Sequence, residues 1–210
     1  GCYGQRVLSY DEARQILLGR LHLQSNNGSY FIMDVYCQHP YDRGDFPGNR
    51  GPGPNKIPDS AVLNTEHTWP QSHFSGRFPT GMQKTDLHHL YPSDSEVNGI
   101  RGNFQFGEVD APARNVPCST VKFGKINNAP GYFFEPPPQH RGNVARSLFY
   151  FSIRYRLTIT KYEEFFLRKW HKEDPVDEFE MARNNEIQRV QGNRNPFIDH
   201  PELVNSISDF

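Results

Sequence analysis

Glu66 and His67 are adjacent in the chain and have the clearest chemical potential of any residues in it. Glu66 offers a hard oxygen ligand for a divalent cation, and His67 offers an imidazole that can take a proton near neutral pH. A second polar segment, 86–103, contains the carboxylate of Asp86 and the amide of Asn98. Together the two segments predict a metal site that hydrolyses a phosphodiester.

Short regular elements are predicted to position these residues. Residues 61–69 and 86–91 are predicted strands, each ended by the proline that follows it. Ser93 and Glu96 form a capping box, which predicts a short helix over 93–101. Strand, connection, strand and helix in this order predict one small unit that holds both polar segments.

The adjacency of Glu66 and His67 sets a geometric condition. Successive residues of a regular strand face opposite sides, so an undistorted strand cannot direct both side chains into one cleft. The site therefore needs a bend, a bulge or a strand end within 65–68, and Pro70 favours an ending. If residues 64–70 form one straight, fully paired strand, one of the two roles fails.

The rest of the chain predicts helices separated by irregular loops, which gives one α+β domain over 1–210. Asp174 and Pro175 are predicted to begin the last helix and Gly192 to end it. Two segments rich in Gly and Pro, 38–58 and 111–139, are predicted loops. The predicted elements are a helix over 10–22, a strand or buried segment over 29–37, and helices over 143–157, 162–172 and 174–192.

The composition is that of a folded domain and argues against several classes of protein. Aromatic residues make up 13% of the 210 residues, which argues against disorder. No run approaches the roughly 20 apolar residues of a transmembrane helix. The formal net charge is −1, with 23 basic and 24 acidic residues, so the basic excess of a tight sequence-specific nucleic-acid binder is missing.

Three cysteines allow one internal disulfide at most. Cys37 and Cys118 are the expected pair, because Cys2 lies at a terminus; free thiols throughout are the alternative. The start Gly1-Cys2 is similar to the mature end of a bacterial lipoprotein, in which that cysteine carries lipid.

Several motifs, taken together, resemble the endonuclease I family of bacterial secreted and periplasmic nucleases. The matching segments are EHTWPQS at 66–72, DLHHL at 86–90, EVNGIRGNF at 96–104, RGNVAR at 141–146 and QGNRNPFIDHP at 191–201. The extracellular ribonuclease/deoxyribonuclease branch is the most similar. The resemblance implies a ββα-metal nuclease core surrounded by helices and long irregular loops.

The resemblance also implies the roles of three residues. Glu66 and Asn98 would bind a single divalent ion, with Asn103 as a rival to Asn98, and His67 would be the general base. Mg²⁺ fits these oxygen ligands, and Mn²⁺ or Ca²⁺ would be able to substitute. The expected products carry 5′-phosphates.

Phosphate contacts are predicted for arginines, whose planar fork matches phosphate oxygens. Arg101 follows Asn98 by one helical turn, and Arg77 lies in the loop between the polar segments. A supporting role, orienting Glu66 or a bound water, is predicted for one or more of the remaining polar residues of the second segment, with burial in the core as the alternative. These residues are Asp86, His88 and His89.

The sequence thus predicts a secreted, periplasmic or cell-envelope Mg²⁺-dependent endonuclease. The expected substrate is DNA, and RNA as well, cut by a monomer without a sequence-specific reader. Two alternatives stay open. His67, His88 and His89 would permit a zinc phosphoesterase, and a nucleic-acid-binding module without turnover would keep the fold but lack the activity.

Overall fold

The structure is α+β, as predicted. The computed structural model describes residues 4–210. The strands are β1 (Leu23–Asn26), β2 (Ser29–Met33), β3 (Pro40–Tyr41), β4 (Leu63–His67), β5 (Leu90–Asp94), β6 (Gln105–Phe106), β7 (Ala111–Pro112), β8 (Lys122–Lys125) and β9 (Phe133–Glu135). The α-helices are α1 (Tyr10–Ile16), α2 (Thr80–Lys84), α3 (Ser95–Arg101), α4 (Pro138–Tyr155), α5 (Lys161–Glu173), α6 (Glu178–Gln191) and α7 (Pro196–Asp199). The 3₁₀ helices are Arg43–Asp45, Gln71–His73, Leu87–His89 and Pro201–Ser206.

The strands of the described chain form small sheets. β1, β2 and β3 make an antiparallel sheet in that order. β4 and β5 make an antiparallel pair that leads directly into α3. The third sheet has the order β6-β9-β8-β7, with β6 parallel to β9. The β4–β5–α3 unit carries both polar segments, as the sequence predicts.

Two hydrophobic clusters meet at the β4–β5 pair. Leu63 and Leu90 belong to the smaller cluster, which includes α1, whereas Tyr91 belongs to the larger one around α4 and α5. Each fully buried large apolar side chain stabilises the fold by about 1.5–3 kcal/mol. The strands that hold the polar segments are therefore fixed from both sides by apolar packing.

The first helix is confirmed, with a change of form at its end. The Ser9 hydroxyl accepts the backbone N–H of Glu12 at 3.2 Å and so caps α1. Past Ile16 the helix continues as a π turn over Leu17–Leu21. A Cβ at Gly19 would lie 2.9 Å from the Asn55 Cα, so the close approach of the 38–58 loop requires glycine there.

The prediction of a strand over 86–91 is wrong at its start and at its end. The Asp86 carboxylate accepts the His88 backbone N–H at 3.1 Å, which caps a 3₁₀ helix at Leu87–His89. β5 then runs through Pro92. The Pro92 carbonyl accepts from Val35 at 3.0 Å, so this residue faces away from β4, where its missing N–H is tolerated.

Two predicted helix caps are also wrong. Ser93 still pairs with Asn64 in the sheet, and Asp94 caps α3 by accepting the Val97 N–H at 2.8 Å. The last long helix begins at Glu178, since Asp177 accepts the Glu180 N–H at 2.7 Å. In both cases the carboxylate nearest the first turn takes the cap.

Asp174, predicted to cap that helix, accepts the backbone N–H of Gly142 at 2.8 Å instead. Gly192 ends α6 with φ 93°, as predicted. α4 begins at Pro138, earlier than 143, because a proline fits the first helical position. The 38–58 loop is irregular apart from β3 and one 3₁₀ helix, whereas the 111–139 segment contains β7, β8 and β9.

The predicted disulfide joins Cys37 to Cys118, with a Cα–Cα distance of 5.5 Å and a sequence separation of 81. A cross-link that closes a loop of this length stabilises the folded state by about 4 kcal/mol through the entropy of the unfolded chain. The prediction for Cys2 lies outside the described residues. Within residues 4–210, no helix is long and apolar enough to span a bilayer.

Candidate active site

A polar cleft of about 500 Å³ opens where the first turn of α1, the end of β4 and α3 come together. We call it the cleft. It contains both residues of the Glu66-His67 pair and also Asn98, so the structure brings together the three residues predicted for metal binding and proton transfer. Its lining consists of Tyr10, Asn64, Thr65, Glu66, His67, Pro70, Gln71, Ser72, Asn98, Gly102 and Asn103.

The strand end that the sequence requires is present. β4 is paired without a bulge from Leu63 to His67 and stops there, and the chain bends at residues 68–69. Glu66 and His67 therefore have different neighbours, as alternation demands, while both line the cleft at the end of the strand. The ending of β4 removes the conflict between their two roles.

The Glu66 carboxylate is held in place through one of its two oxygens. Its Oε1 accepts a hydrogen bond from the Tyr36 hydroxyl at 2.9 Å and lies 3.3 Å from the Arg101 Nε. The Arg101 contact is close enough for charge attraction but is not aligned as a hydrogen bond. Both contacts use Oε1, so Oε2 is the atom left to act as a ligand.

The Glu66 carboxylate is also almost completely withdrawn from water, with 1% of the residue exposed. Burial raises its pKa, and the charge of Arg101 and the hydroxyl of Tyr36 oppose that rise. Tyr36 and Arg101 offset only part of the cost of burying this negative charge, so a further positive charge beside the carboxylate would stabilise its ionised form. The environment of Glu66 is therefore suited to a cation ligand.

His67 has a defined tautomer. Its Nε2 lies 3.1 Å from the Lys84 carbonyl, which can only accept, so Nε2 carries the proton. The lone pair is then on Nδ1, which has the Gln71 amide nitrogen at 3.5 Å as its neighbour. Burial lowers the pKa of His67 to about 4, so the ring is neutral at pH 7. His67 is thus a neutral base with its accepting atom fixed.

Asn98 presents an amide oxygen on the opposite wall. Its Nδ2 donates to the Thr65 carbonyl at 3.3 Å, which fixes the amide against β4 and leaves Oδ1 as the atom not engaged by this bond. Asn103, the rival ligand, is exposed and has its Nδ2 at 3.4 Å from the Ser72 Oγ. The tie to β4 makes Asn98 the better fixed of the two.

The donor atoms fit a particular kind of metal. Glu66 Oε2 and Asn98 Oδ1 are two hard oxygens, and Mg²⁺ is commonly held by one or two protein oxygens with water and phosphate completing its shell. Across residues 4–210, no group of three or more His, Cys, Asp or Glu side chains is arranged to hold a metal. The cleft therefore suits a hydrated ion rather than a caged zinc.

Arg101 does not occupy the position that a phosphate contact needs. The residue is 1% exposed, and its guanidinium donates to the carbonyls of His67 and Gly102 at 3.2 Å each and to that of Thr68. It also lies over the Phe106 ring. These bonds fasten the end of β4, so Arg101 positions Glu66 and His67 from behind the cleft.

Arg77 lies on the exposed loop after the cleft residues Gln71 and Ser72. Its backbone N–H bonds the Ser75 hydroxyl at 3.2 Å, which shapes the loop. Its exposure leaves the guanidinium accessible to a phosphate, and its role there stays a prediction.

Asp86 belongs to a different cluster. Its carboxylate accepts hydrogen bonds from the hydroxyls of Tyr150 at 2.8 Å and Tyr155 at 2.7 Å, and from the Gln191 amide at 2.9 Å. These partners occupy both oxygens, so Asp86 does not orient Glu66. We call this cluster the buried polar network; its members are Asp86, His88, Tyr150, Tyr155, Gln191 and Asn193.

The two histidines after Asp86 are core residues that bond to the backbone. His88 has its Nε2 at 3.2 Å from the Asn193 carbonyl, and His89 has its Nε2 at 2.9 Å from the Gln83 carbonyl. The His89 ring also lies 5.4 Å from the His67 ring, measured between centroids, and so packs beside it. The three histidines do not converge on one metal position.

Three residues that shape the cleft were not predicted. Tyr36, from the segment before the long loop, bonds Glu66, and Tyr10, at the start of α1, lies 6.0 Å from the His67 ring. Lys84 supplies the carbonyl that sets the His67 tautomer. A tyrosine or a backbone carbonyl far away in sequence carries no local signal of such a role.

Comparison with known proteins gives one matching family and several similar bacterial proteins. The family model described as Endonuclease I matches residues 4–202. The chain is similar to an extracellular ribonuclease of Bacillus subtilis (strain 168), with 37% identity over 163 residues, 69% of this chain and 53% of the relative. It is also similar to an extracellular deoxyribonuclease of Aeromonas hydrophila, with 34% identity over 116 residues, 54% of this chain and 48% of the relative. The chain spans about half the length of the curated relatives it matches.

A third relative is the periplasmic deoxyribonuclease of Aeromonas hydrophila, at 33% identity over 116 residues, 54% of this chain and 47% of the relative. The names of these relatives include both ribonuclease and deoxyribonuclease, and both extracellular and periplasmic locations.

Proposed function

The chain belongs to the endonuclease I family, and from that membership and the geometry of the cleft we propose that it is a Mg²⁺-dependent endonuclease. It cleaves phosphodiester bonds of DNA and RNA, since relatives of similar identity are named for each. We further propose that residues 1–210 form one monomeric nuclease domain in which β4, β5 and α3 are the ββα-metal core.

The observation that carries this proposal is the fixed tautomer of His67 beside two spare oxygen ligands. The Lys84 carbonyl holds the proton on Nε2, so Nδ1 is the accepting atom in the cleft. Glu66 and Asn98 line the same cleft, and each has an oxygen outside its side-chain hydrogen bond, Oε2 and Oδ1 respectively. A base and metal ligands in one cleft are the parts that phosphodiester hydrolysis by water requires.

The mechanism follows from these positions. His67 Nδ1 takes a proton from the water that attacks phosphorus, and the P–O3′ bond breaks to give a 5′-phosphate. The leaving O3′ takes a proton from solvent to become the 3′-hydroxyl, and His67 returns its own proton to solvent. Glu66 and Asn98 would hold the Mg²⁺, which would supply stabilisation of charge on the phosphate and on the leaving oxygen. Tyr36 and Arg101 keep the Glu66 carboxylate in place, so the geometry exists before substrate arrives.

The substrate contacts that we propose for the protein are with the backbone of the nucleic acid. Arg77 is the proposed phosphate contact, because it is exposed and follows the cleft residues in the chain. Chemistry directed at the phosphate reads no base, which accounts for little sequence preference. A zinc phosphoesterase is not favoured, since His88 is bonded to the Asn193 carbonyl in the core.

We propose a location outside the cytoplasm, in the secreted fraction, the periplasm or the cell envelope. The Cys37–Cys118 disulfide is stable in an oxidising compartment, and relatives are named extracellular and periplasmic. An anchor through a lipid on Cys2 stays a proposal, to be tested by the intact mass of the protein purified from its own cells.

The test uses supercoiled plasmid and structured RNA with Mg²⁺ or EDTA. Wild-type protein should degrade both in Mg²⁺ and neither in EDTA, and His67→Ala should degrade neither. His200→Ala is the matched control and should behave as wild type. The His200 side chain is 65% exposed, and its ion pair is with Glu202, which is also exposed. Binding of nucleic acid without cleavage under Mg²⁺, Mn²⁺ or Ca²⁺ would overturn the enzyme in favour of a binding module.

A further inference from the structure

A second pocket, of about 240 Å³, adjoins the cleft. Pro70 and Asn103 line both cavities, so the pocket opens beside the atoms proposed to cut the phosphodiester. We call it the side pocket. Its volume is below the roughly 300–1,000 Å³ of sites for drug-sized ligands, which limits the occupant to one small planar group.

The walls of the side pocket combine ring and aliphatic surface. Trp69, Phe104 and Leu157 are among its lining residues. Trp69 is itself fixed, since its ring stacks on Phe151 at 5.4 Å between centroids and its Nε1 donates to the His73 carbonyl at 3.0 Å. Rigid aromatic surface beside a phosphate site is the usual means of binding an unpaired base.

Two polar side chains of the side pocket each have one polar atom in a hydrogen bond and a second polar atom outside it. Gln105 accepts the Thr160 hydroxyl with its Oε1 at 2.8 Å, which leaves its Nε2 as a donor. Glu163 accepts the Phe106 backbone N–H with its Oε1 at 2.8 Å, which leaves its Oε2 as an acceptor. The pocket therefore offers a fixed donor and a fixed carboxylate acceptor beside aromatic surface.

Glu163 is the more unusual of these two residues because its carboxyl group is in a buried environment. Burial raises the pKa of its carboxyl to about 7, and the Phe106 N–H and the charge of Arg101 only partly oppose the rise. A carboxyl withdrawn from water gains from added hydrogen-bond donors. The donors of a bound ligand would meet that need.

We propose that the side pocket binds one unpaired guanine base of a nucleic-acid strand whose phosphate lies in the cleft. The N1–H and N2–H groups of guanine donate to the two oxygens of the Glu163 carboxylate, with Oε1 accepting through its second lone pair beside the Phe106 N–H, and the guanine O6 accepts from the Gln105 amide. Adenine and cytosine place an acceptor nitrogen beside their amino group, and uracil and thymine have a single N–H, so guanine alone satisfies both side chains.

The inference rests on the proposed nuclease function and makes its substrate more specific. The Watson–Crick edge of a base is free only when the base is unpaired, so the site favours single strands, loops and frayed ends. One base contact gives a preference at one position of the substrate and leaves the other positions unread. The enzyme stays a general nuclease with a bias beside the scissile bond.

The first test measures binding without turnover. Nucleoside 5′-monophosphates are titrated at pH 8 in EDTA while tryptophan fluorescence is recorded, because Trp69 lines the side pocket. Wild-type protein should bind GMP at least tenfold more tightly than AMP, CMP or UMP. Equal affinity for all four nucleotides would overturn the proposal.

Glu163→Gln is the decisive variant. It keeps an oxygen for the Phe106 N–H, so the fold is retained, but it replaces the spare acceptor with a donor that repels the guanine N–H groups. The preference for GMP should fall to within twofold. Glu173→Gln, an exposed change on the same helix, should keep the full preference. An unchanged preference in Glu163→Gln would contradict the assignment.

The second test maps cleavage of a single-stranded RNA of random sequence in Mg²⁺. Guanine should be enriched about fivefold or more at one fixed position beside the cut in wild type and not in Glu163→Gln, an effect of about 1 kcal/mol on discrimination. Selective GMP binding with no cleavage would keep the side pocket and overturn the nuclease. Cleavage without any base enrichment would keep the nuclease and overturn the side pocket.

Discussion

The cleft lies at the end of β4, whereas the buried polar network joins the 3₁₀ helix before β5 to α4 and to the end of α6. The carboxylates of the two regions are in opposite states. In the cleft, the side-chain contacts of Glu66 use one of its two oxygens, and the His67 Nδ1 has only the long 3.5 Å contact with the Gln71 amide. In the network, Asp86 is surrounded by donors, and the residue is 0% exposed. Spare atoms on a fixed frame can act on a ligand, whereas satisfied atoms can only hold a structure.

The same residue types thus serve different ends within one short stretch. A carboxylate and a histidine occur in both regions, and burial lowers the pKa of both His67 and His88 to about 4. Neither a pKa shift nor a residue type separates them. What separates them is access to a ligand: Glu66 and His67 line the cleft, whereas Asp86 and His88 are enclosed in the core. The following experiments test that difference.

The largest expected effect is on the cleft. Glu66→Gln removes the charge of the proposed metal ligand and keeps the shape of the side chain and the acceptor for Tyr36. Turnover should fall by about 10³-fold or more, and Mg²⁺ binding followed by calorimetry should be lost, because an amide oxygen is a weaker ligand than a carboxylate. Retention of full activity would remove Glu66 from the chemistry.

The next effect is on the network. Asp86→Ala leaves the hydroxyls of Tyr150 and Tyr155 and the Gln191 amide buried without their acceptor. The free energy of unfolding should fall by about 3–5 kcal/mol in urea titrations. The protein that remains folded should cleave at a rate within a few-fold of wild type. Complete loss of turnover at unchanged stability would place Asp86 in the active site.

The pH dependence of stability tests the network through His88. Its pKa of about 4 when folded lies below the ordinary value of 6.5, so the unfolded chain binds more protons between these values. Stability is therefore unaffected above pH 6.5 and is lost as the pH falls toward 4. At pH 5 the loss from this residue is about 2 kcal/mol.

His88→Gln keeps a donor for the Asn193 carbonyl and removes the titration. The difference in unfolding free energy between pH 7.5 and pH 5 should be smaller in this variant by about 2 kcal/mol. If variant and wild type lose the same unfolding free energy between pH 7.5 and pH 5, folding does not lower the pKa of His88, and the prediction fails.

The smallest effect comes from a matched pair of tyrosines. Tyr36→Phe removes the hydroxyl that holds Glu66, and Tyr155→Phe removes one that holds Asp86. The first should weaken Mg²⁺ binding about tenfold, as loss of a partner of a metal ligand does. The second should cost about 1 kcal/mol of stability without changing turnover. Equal effects of the two changes on Mg²⁺ binding would contradict the claim that the cleft, and not the buried polar network, binds the metal.

Much of the cleft could be predicted from the sequence because its signals are local. Glu66 and His67 are neighbours, and Pro70 marks the end of their strand, which the structure places at His67. Asn98 follows from the short helix after the second strand. The network could not be predicted, because its partners come from positions as far apart as Asp86 and Gln191.

The errors in the helix and strand boundaries share one physical cause. Asp86, Asp94 and Asp177 each cap a turn or helix with a side-chain oxygen, and the competition between nearby polar residues for a cap is decided by the tertiary structure. Arg101 was predicted as a phosphate contact because its spacing is helical, but the spacing does not show that its guanidinium is buried under β4.

The most direct test of the account compares His67→Ala with His88→Ala in turnover and in the free energy of unfolding. His67→Ala should lower kcat by about 10²–10⁴-fold while the protein stays folded under assay conditions. His88→Ala should lower the free energy of unfolding by about 2–4 kcal/mol, with kcat of the folded protein within about threefold of wild type. The account is contradicted if the folded His88→Ala protein loses turnover or if His67→Ala keeps it.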